Sequence, residues 1–257
     1  MNAKRQSGQS GPSGQADQGR ADREAQVAPL TEEATAIVAL AAHELKNALG
    51  GIGVAIARCE QKVAGGKTVS ADDLSLARTE LRRLSALVND LLDGARVDLG
   101  QVHVHKAAVD IAALTAEVVA TFRAARERPV KLDLPARATV IDCDADRVRA
   151  VLVNYLENAA KYAPAPAEIT VSVGPAPDAT RFRIAVKDDG PGIPREDQAR
   201  IFQRFFRSPT VAKRTSGLGL GLYLCHAIAQ AHGGATGVDS SPGGGATFWL
   251  DLPGTSR

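Results

Sequence analysis

Two runs of apolar residues constrain the fold of the first hundred positions. They cover residues 38–63 and 74–95, and in each run the apolar side chains recur at alternating steps of four and three. This spacing places them in one stripe along a helix. Gly65 interrupts the pattern, and Ser70 followed by Asp73 is typical of a helix-capping box. The sequence therefore predicts two long helices joined as a hairpin.

The two stripes also predict an association between chains. One hairpin shields only part of its apolar surface, whereas two hairpins packed as a four-helix bundle close a continuous core. We expect a homodimer through residues 30–97. Residues 1–29 offer almost nothing to bury, which predicts a disordered tail, with a docking segment for a partner as the alternative.

A different pattern begins after Gly100, where short apolar runs alternate with helices. We predict that residues 98–254 form an α/β sandwich, one mixed sheet covered by helices. The whole chain is then of the α+β class. Helices are predicted to start at Asp110, Asp144 and about Leu218, and strands are predicted at 102–105, 130–134, 139–143, 168–173, 181–187, 235–239 and 246–252.

Composition excludes several classes of protein. Lys plus Arg number 31 and Asp plus Glu 29, and the resulting net charge of +2 gives no reason to expect a nucleic-acid partner. The three cysteines have no metal-binding or disulfide-framework spacing. The longest apolar stretch is too short to cross a bilayer. We therefore expect no membrane segment in this chain and a cytoplasmic location.

The first predicted helix carries a polar group with reactive potential. His43 points away from the apolar stripe, and Glu44, Lys46 and Asn47 follow within about one turn. An exposed imidazole is a nucleophile, and a neighbouring carboxylate can accept its proton. An ordinary solvated helix face is the alternative.

A second polar group lies on the helix that begins near Asp144. Asn154, Asn158, Lys161 and Tyr162 fall along one side of it. Amide oxygens can ligate Mg²⁺, an ammonium can hold phosphate, and an aromatic ring can cover a base. A helix with a buried and a solvated face would give a similar pattern.

Two glycine-rich turns follow. In the first, Asp188 ends a strand, and the glycines after it allow backbone to approach a ligand closely. The second opens a helix, where exposed N–H groups and the helix dipole favour a phosphate chain. An ordinary loop is the alternative for the first turn. The glycines concerned are Gly190, Gly192, Gly217, Gly219 and Gly221.

The segment between these turns contains aromatic and basic residues. Residues 201–207 supply phenylalanines and arginines, including Arg207, and residues 208–215 supply Lys213 and Arg214. We interpret the basic part as a lid that closes over a triphosphate. The aromatic residues could instead belong to the core.

Taken in order, these motifs resemble those of the sensor histidine kinases of two-component signalling, over about residues 30–252. Residues 43–47 resemble the family's phosphoacceptor box, and residues 154–162 resemble its asparagine box. Residues 188–192 and 217–221 resemble the first and second glycine boxes, and residues 202–207 resemble the phenylalanine box. The resemblance implies a dimerisation and histidine-phosphotransfer hairpin followed by a Bergerat-type ATP-binding domain.

The resemblance implies a role for each motif. His43 would accept the γ-phosphate of ATP, and Glu44 would accept a hydrogen bond from the imidazole. Asn47 would orient water that hydrolyses the phosphoaspartate of a response regulator. The remaining implied contacts are Asn158 with Mg²⁺, Asn154 beside it, Lys161 and Arg207 with phosphate, Asp188 with the adenine amine, and Tyr162 near the nucleotide.

Three positions refine this resemblance. Asn154 stands where the gyrase and chaperone relatives have a glutamate that activates water, so we expect slow ATP hydrolysis. Ala48 replaces the proline that usually follows the phosphoacceptor box, which predicts a straighter first helix, although Gly50 and Gly51 could supply flexibility. Gln203 replaces the usual glutamate of the phenylalanine box.

The function implied is an ATP-dependent protein-histidine kinase that phosphorylates His43 and passes the phosphate to a response regulator. The alternative is a non-catalytic dimeric scaffold or phosphorelay adaptor with a degenerate ATP domain. A serine kinase of the anti-sigma type shares the ATP fold, and the hairpin carrying His43 argues against it.

Overall fold

The computed structural model describes the backbone of residues 13–163, 167–208 and 217–254, and the side chains from residue 38 onward. Residues up to Asn47 and residues from Ala48 form two compact units. The first unit is a stretch of one helix. The second contains the rest of the hairpin and the whole of the sheet domain.

The predicted hairpin is present as helices α1, Ser13–Ala64, and α2, Ala71–Asp98. Helix α1 ends before Gly65, and Ser70 and Asp73 form the predicted capping box through reciprocal side-chain and backbone bonds. Position 48 lies within helix α1.

Helix α1 begins earlier than the apolar pattern indicates. Its first residue, Ser13, lies within the segment 1–29 for which the sequence predicts a disordered tail. Residues 13–28 are rich in Ala and Gln and contain two Arg, residue types that favour helix even where no apolar stripe exists. Residues 1–12 lie outside the described part of the chain.

From Ala48 onward the hairpin leaves many of its large apolar residues exposed. Small residues at the centre of the hairpin, such as Ala48 and Ala55, are buried together with Leu87. Larger apolar residues that recur every seven positions remain exposed on both helices. These exposed residues are Leu49, Ile56 and Val63 on α1 and Leu74, Leu81 and Val88 on α2.

The sheet domain follows with the predicted alternation. Its helices are α3, Ile111–Arg126; α4, Ala145–Tyr162; α5, Arg195–Gln198; and α6, Gly221–Ala231. Its strands are β1, Ala107–Asp110; β2, Val130–Asp133; β3, Val140–Cys143; β4, Ile169–Pro175; β5, Arg181–Asp188; β6, Ala235–Ser240; and β7, Ala246–Pro253.

The strands form two sheets rather than the single sheet predicted. Five of them make a mixed sheet in the order β2-β4-β5-β7-β6, in which only β2 and β4 run parallel. Strands β1 and β3 pair antiparallel as a separate ribbon. The prediction of a strand at 102–105 was wrong, because the His105 N–H donates to the Asp144 carboxylate instead of to a neighbouring strand.

Helix α4 is the centre of the domain core. Asp144 caps its first turn by accepting from the N–H groups of Asp146 and Arg147, as predicted. One face of α4 is buried against the sheet, and Tyr155 is completely buried there. The Tyr155 hydroxyl bonds Thr236, and its ring stacks on Phe248 at 5.6 Å.

His232 links α6 to the start of α4 in one protonation state. Its Nε2 accepts from the Asp144 N–H at 3.0 Å, so Nδ1 must carry the proton that is shared with the Ile228 carbonyl at 2.8 Å. The ring is 1% exposed, and burial, aided by nearby Lys106, lowers the pKa of His232. The neutral ring is therefore the form that the fold requires.

We predict that this histidine makes the fold sensitive to acid. The unfolded chain binds the proton more tightly than the folded one, so stability is fully present above about pH 6.5 and falls as pH decreases below that value. Urea unfolding of the His232→Gln variant should show a smaller loss of stability between pH 7.5 and pH 5 than the original chain. His226→Gln, at an exposed hydrogen bond to Gln230, is the control, and equal slopes in all three proteins would contradict this role.

Candidate nucleotide site

A cavity of about 250 Å³ lies between α4, the end of β5 and the start of α6. It is lined by most of the side chains and glycines that the sequence motifs singled out in this domain. These are Asn154, Asn158, Lys161, Tyr162, Asp188, Gly192, Arg207, Gly217, Gly219 and Gly221. Gly190 is not among the lining residues but contacts Asp188 directly.

The polar face of α4 forms one wall. Asn158 donates its side-chain N–H to the Asn154 Oδ1 at 3.1 Å, which leaves the Asn158 Oδ1 as an acceptor. One turn further, the Lys161 ammonium lies 5.2 Å from the centre of the Tyr162 ring. Because the opposite face of α4 is fixed in the core, these four side chains are presented from a rigid support.

Asp188 is held at the end of β5 with its carboxylate largely buried. The Gly190 N–H donates to its Oδ1 at 2.8 Å. Burial raises the pKa of Asp188, while the N–H groups of Gly190 and Ala246 and the charge of Arg128 oppose that rise. A buried carboxylate with a free acceptor position suits an amine donor of a flat ligand.

Glycines are required where backbone crosses close to Asp188. Gly245 has φ +74°, and a Cβ there would lie 2.0 Å from the Asp188 carbonyl oxygen. At Gly192, φ is +72° and a Cβ would lie 1.9 Å from the Ser241 carbonyl oxygen. Gly245 was missed by the sequence analysis, because its importance arises from a residue 57 positions earlier in the chain.

The second glycine turn packs against both neighbouring motifs. A Cβ at Gly221 would lie 2.1 Å from the Asn154 amide nitrogen, so a larger residue at the start of α6 would displace the Asn154 side chain. Gly219 has φ +70°, and its carbonyl oxygen accepts a hydrogen bond from the Phe205 N–H at 3.1 Å. The asparagine, phenylalanine and second glycine motifs therefore form one connected wall.

The predicted lid is described only at its ends. Arg207 and Ser208 line the cavity before it. The Ser208 hydroxyl donates to the buried Asp197 carboxylate at 2.5 Å, which anchors this end of the lid on α5. Residues 209–216, including Lys213 and Arg214, lie outside the described part of the chain.

The hairpin also contributes to this wall through α2. Asp90 lines the cavity. A Cβ added at Gly94 would lie 3.6 Å from the Leu220 side chain, so α2 packs against the second glycine turn. Asp98 accepts from the Tyr223 hydroxyl at 2.8 Å and pairs with Arg204. Burial, with a contribution from neighbouring Asp93, raises the pKa of Asp90 to about 6. Asp90 could not be predicted from the sequence, because it lies in the hairpin, far along the chain from every motif of the cavity.

The first compact unit carries the proposed phosphoacceptor group. His43, Lys46 and Asn47 are exposed on α1, as the helical spacing predicted. Glu44 is buried at 6% exposure, so it does not share their solvated face. The 100° step between successive helical residues separates the two side chains.

Two family comparisons cover most of the chain. Residues 34–100 match the His Kinase A phospho-acceptor domain. Residues 143–256 match the histidine kinase-, DNA gyrase B- and HSP90-like ATPase family. The hairpin and the cavity domain therefore each match a family of the function that their motifs indicate.

Individual histidine kinases are similar to this chain over most of its length. Sensor histidine kinase WalK of Bacillus subtilis is 30% identical over 227 residues, and the match covers 87% of this chain and 37% of WalK. Full-length ShkA in complex with AMPPNP has a TM-score of 0.62 at 26% identity, with 87% of this chain and 46% of ShkA covered. ThkA bound to the response regulator protein TrrA has a similar fold, with a TM-score of 0.60 at 20% identity, over 96% of this chain and 68% of that one.

The fold and the cavity define an ATP-binding domain joined to a phosphoacceptor helical hairpin. The chain belongs to the sensor histidine kinase family. It spans little more than a third of the length of WalK. Within the described residues, no helix has the length and apolar character needed to cross a membrane.

We predict that Gly245→Ala weakens nucleotide binding at least about tenfold, because the methyl group would displace Asp188. Gly243→Ala is the matched control, since Gly243 has φ +76° but an added Cβ there meets no atom within 4 Å. Calorimetric titration with ADP and Mg²⁺ measures both. Equal losses in the two variants would show that backbone strain, rather than displacement of Asp188, is responsible.

Proposed function

We propose that this chain is an ATP-dependent protein-histidine kinase that phosphorylates itself on His43 and transfers the phosphate to an aspartate of a response regulator. The observation that carries the proposal is the cavity, which gathers the α4 amides, Asp188 and both glycine turns in one place. The phosphoacceptor family match adds an exposed His43 on α1.

The cavity offers a partner for each part of ATP. The buried Asp188 carboxylate accepts from the adenine amine, and Tyr162 lies beside the base. Lys161 and Arg207 provide positive charge for the phosphates. The N–H groups of the turn 217–221 and the start of α6 supply further donors. The AMPPNP complex of ShkA is consistent with this assignment.

Asn158 is the residue proposed to hold Mg²⁺. Its Oδ1 is left as an acceptor by the bond that its amide donates to Asn154. Amide oxygen fits a hard cation that keeps most of its water ligands. When bound, the ion would neutralise charge on the phosphates. Asn154, being an amide rather than a carboxylate, has no base with which to activate water, so hydrolysis of ATP by water should be slow.

The proposed reaction is a displacement at phosphorus. A lone pair on His43 Nε2 forms the N–P bond, and the bond between the γ-phosphorus and the bridging oxygen breaks, with ADP leaving. The other ring nitrogen keeps its proton, and Glu44 is the carboxylate proposed to accept a hydrogen bond from it. Glu44 is buried and His43 is exposed. The His43 side chain therefore has to change rotamer to bring its ring to the Glu44 carboxylate.

The partners proposed are a response regulator and a second copy of this chain. ThkA, whose fold is similar to that of this chain, forms a complex with the response regulator protein TrrA. We propose that Asn47 orients water against the regulator phosphoaspartate, which would give a second, phosphatase activity. The exposed apolar residues that recur every seven positions on α1 and α2 supply the surface for a dimeric four-helix bundle.

We propose domain limits of 30–97 for the hairpin and 98–254 for the ATP-binding domain. The phosphoacceptor match covers 34–100, and the ATPase match covers only the later part of the second domain, from residue 143. A cytoplasmic location is proposed for this part of the protein. The alternative of a scaffold with a degenerate ATP domain has no observation in its favour, because every predicted nucleotide-binding side chain is present at the cavity.

The test is incubation of the chain with γ-labelled ATP and Mg²⁺, followed by acid or alkali. We expect label that acid removes and alkali does not, the behaviour of phosphohistidine. His43→Gln and Asn158→Ala should abolish it, by removing the acceptor and the proposed ion ligand. His103→Gln is the matched control, because His103 is a second exposed histidine outside the motifs.

Two results would contradict the proposal. Label that persists in His43→Gln would place the acceptor elsewhere. Absence of label in the original chain, when it is dimeric and binds ATP, would favour the scaffold.

A further inference from the structure

Arg128 lies outside every motif, on the three-residue connection between α3 and β2 that precedes Val130. The sheet register aligns Val130 of β2 with Ile169 of β4, and Ile169 with Asp188 of β5. Arg128 is therefore at the same end of the sheet as the carboxylate that we assign to adenine. Its side chain is half-buried.

The Arg128 guanidinium ties together the end of α4 and the start of β4. It donates to the carbonyl oxygens of Ala160 at 2.9 Å, Ala163 at 3.3 Å and Ala167 at 3.2 Å. Ala160 is in the last turn of α4 and Ala163 is its C-cap, at the helix end where carbonyls lack helical partners and carry the negative end of the helix dipole. The third lies beyond residues 164–166, so one side chain clamps both flanks of that segment.

This end of α4 is in contact with the adenine end of the cavity. The last turn carries Lys161 and Tyr162, which line the cavity. A Cβ at Gly190 would lie 3.3 Å from the Tyr162 carbonyl oxygen and 3.4 Å from the Ala163 nitrogen, so the first glycine turn rests on this backbone. Gly190 in turn donates to Asp188. A shift at the end of α4 would therefore reach Asp188 through Gly190.

Arg128 also acts on Asp188 through its charge. In the described part of the chain, the charged side chains that influence Asp188 are Asp189, which raises its pKa, and Arg128, which lowers it. The Gly190 and Ala246 N–H groups lower it as well, and burial raises it. The guanidinium thus favours the ionised carboxylate, which is the form that accepts a hydrogen bond from an amine without donating one.

We infer that Arg128 is a positioning residue for the adenine end of the nucleotide site: it fixes the end of α4 against the first glycine turn and brings a positive charge to the end of the sheet where Asp188 lies. It does not touch the nucleotide. The inference rests on the adenine role proposed for Asp188, and it adds a residue that no motif contains.

The test is calorimetric titration of the full chain with ADP at saturating Mg²⁺ from pH 5 to pH 8.5. Arg128→Met removes the charge and the carbonyl bonds while keeping a long side chain. Arg126→Met is the matched control, because Arg126 is two residues away and pairs with Glu157 on the outer surface of α4. Asp188→Asn tests the adenine role separately.

We expect Arg128→Met to weaken ADP binding by on the order of tenfold at pH 7.5, since the site is displaced. Its loss of affinity on the acid side should be centred at a higher pH than in the original chain, because the ionised form of Asp188 has lost its favourable charge. Arg126→Met should change neither value. Unchanged affinity in Arg128→Met, or weaker binding with an unmoved acid midpoint, would overturn the inference.

Arg128→Lys keeps the positive charge but cannot reach three carbonyls, and it is the informative variant if Arg128→Met does not fold. We expect weaker binding with an acid midpoint close to that of the original chain. Binding as strong as in the original chain would overturn the positioning role. If Asp188→Asn itself binds ADP normally, the adenine assignment is wrong, and that failure is distinguishable from the failure of the role of Arg128.

Discussion

The packing of α4 on the five-stranded sheet is the interaction on which the rest of the nucleotide domain depends. Val148, Val151, Leu152, Tyr155 and Leu156 of α4 are fully buried or nearly so. The Tyr155 hydroxyl adds a hydrogen bond to Thr236 on β6, at the far edge of the sheet. With one face fixed in this way, the amides and the ammonium on the opposite face need no rearrangement to meet a ligand, which lowers the cost of binding.

The second constraint is the close approach of backbone at glycines. Gly221 lets the start of α6 reach Asn154, and Gly245 lets the β6–β7 turn reach Asp188. A Cβ at Gly245 would meet the backbone of Asp188, and a Cβ at Gly221 would meet the side chain of Asn154, so a larger residue at either position would displace a group of the cavity wall. The α2 contacts of Asp98 with Tyr223 and Arg204 join the hairpin to α6 and to the segment 202–207.

Local features of the fold could be predicted from the sequence, and features that depend on distant partners could not. The caps at Ser70, Asp110 and Asp144 were predicted because each acts on N–H groups within three residues. The strand at 102–105 was wrong because a strand requires a neighbour, and the one available, Val140–Cys143, pairs with Ala107–Asp110. The early start of α1 at Ser13 has no apolar stripe to indicate it.

The same distinction applies to the site. The asparagine and glycine motifs were recognisable because their residues are close in sequence and share one helix or turn. Asp90, Gly245 and Arg128 act on those motifs from other elements, and their positions carry no short-range pattern. Glu44 shows a related effect, since its sequence neighbour His43 is exposed while Glu44 is buried.

The most direct test of the account is to map where an adenine nucleotide binds. Photolysis with 8-azido-ATP and Mg²⁺, followed by peptide mass spectrometry, should place the label in residues 158–163 or 188–194, next to Tyr162 and Asp188. Excess ATP should prevent labelling more effectively than GTP, because guanine offers a carbonyl where adenine offers the amine that Asp188 accepts. Label concentrated in residues 48–80, or protection that does not distinguish ATP from GTP, would contradict the claim that this cavity recognises adenine through Asp188.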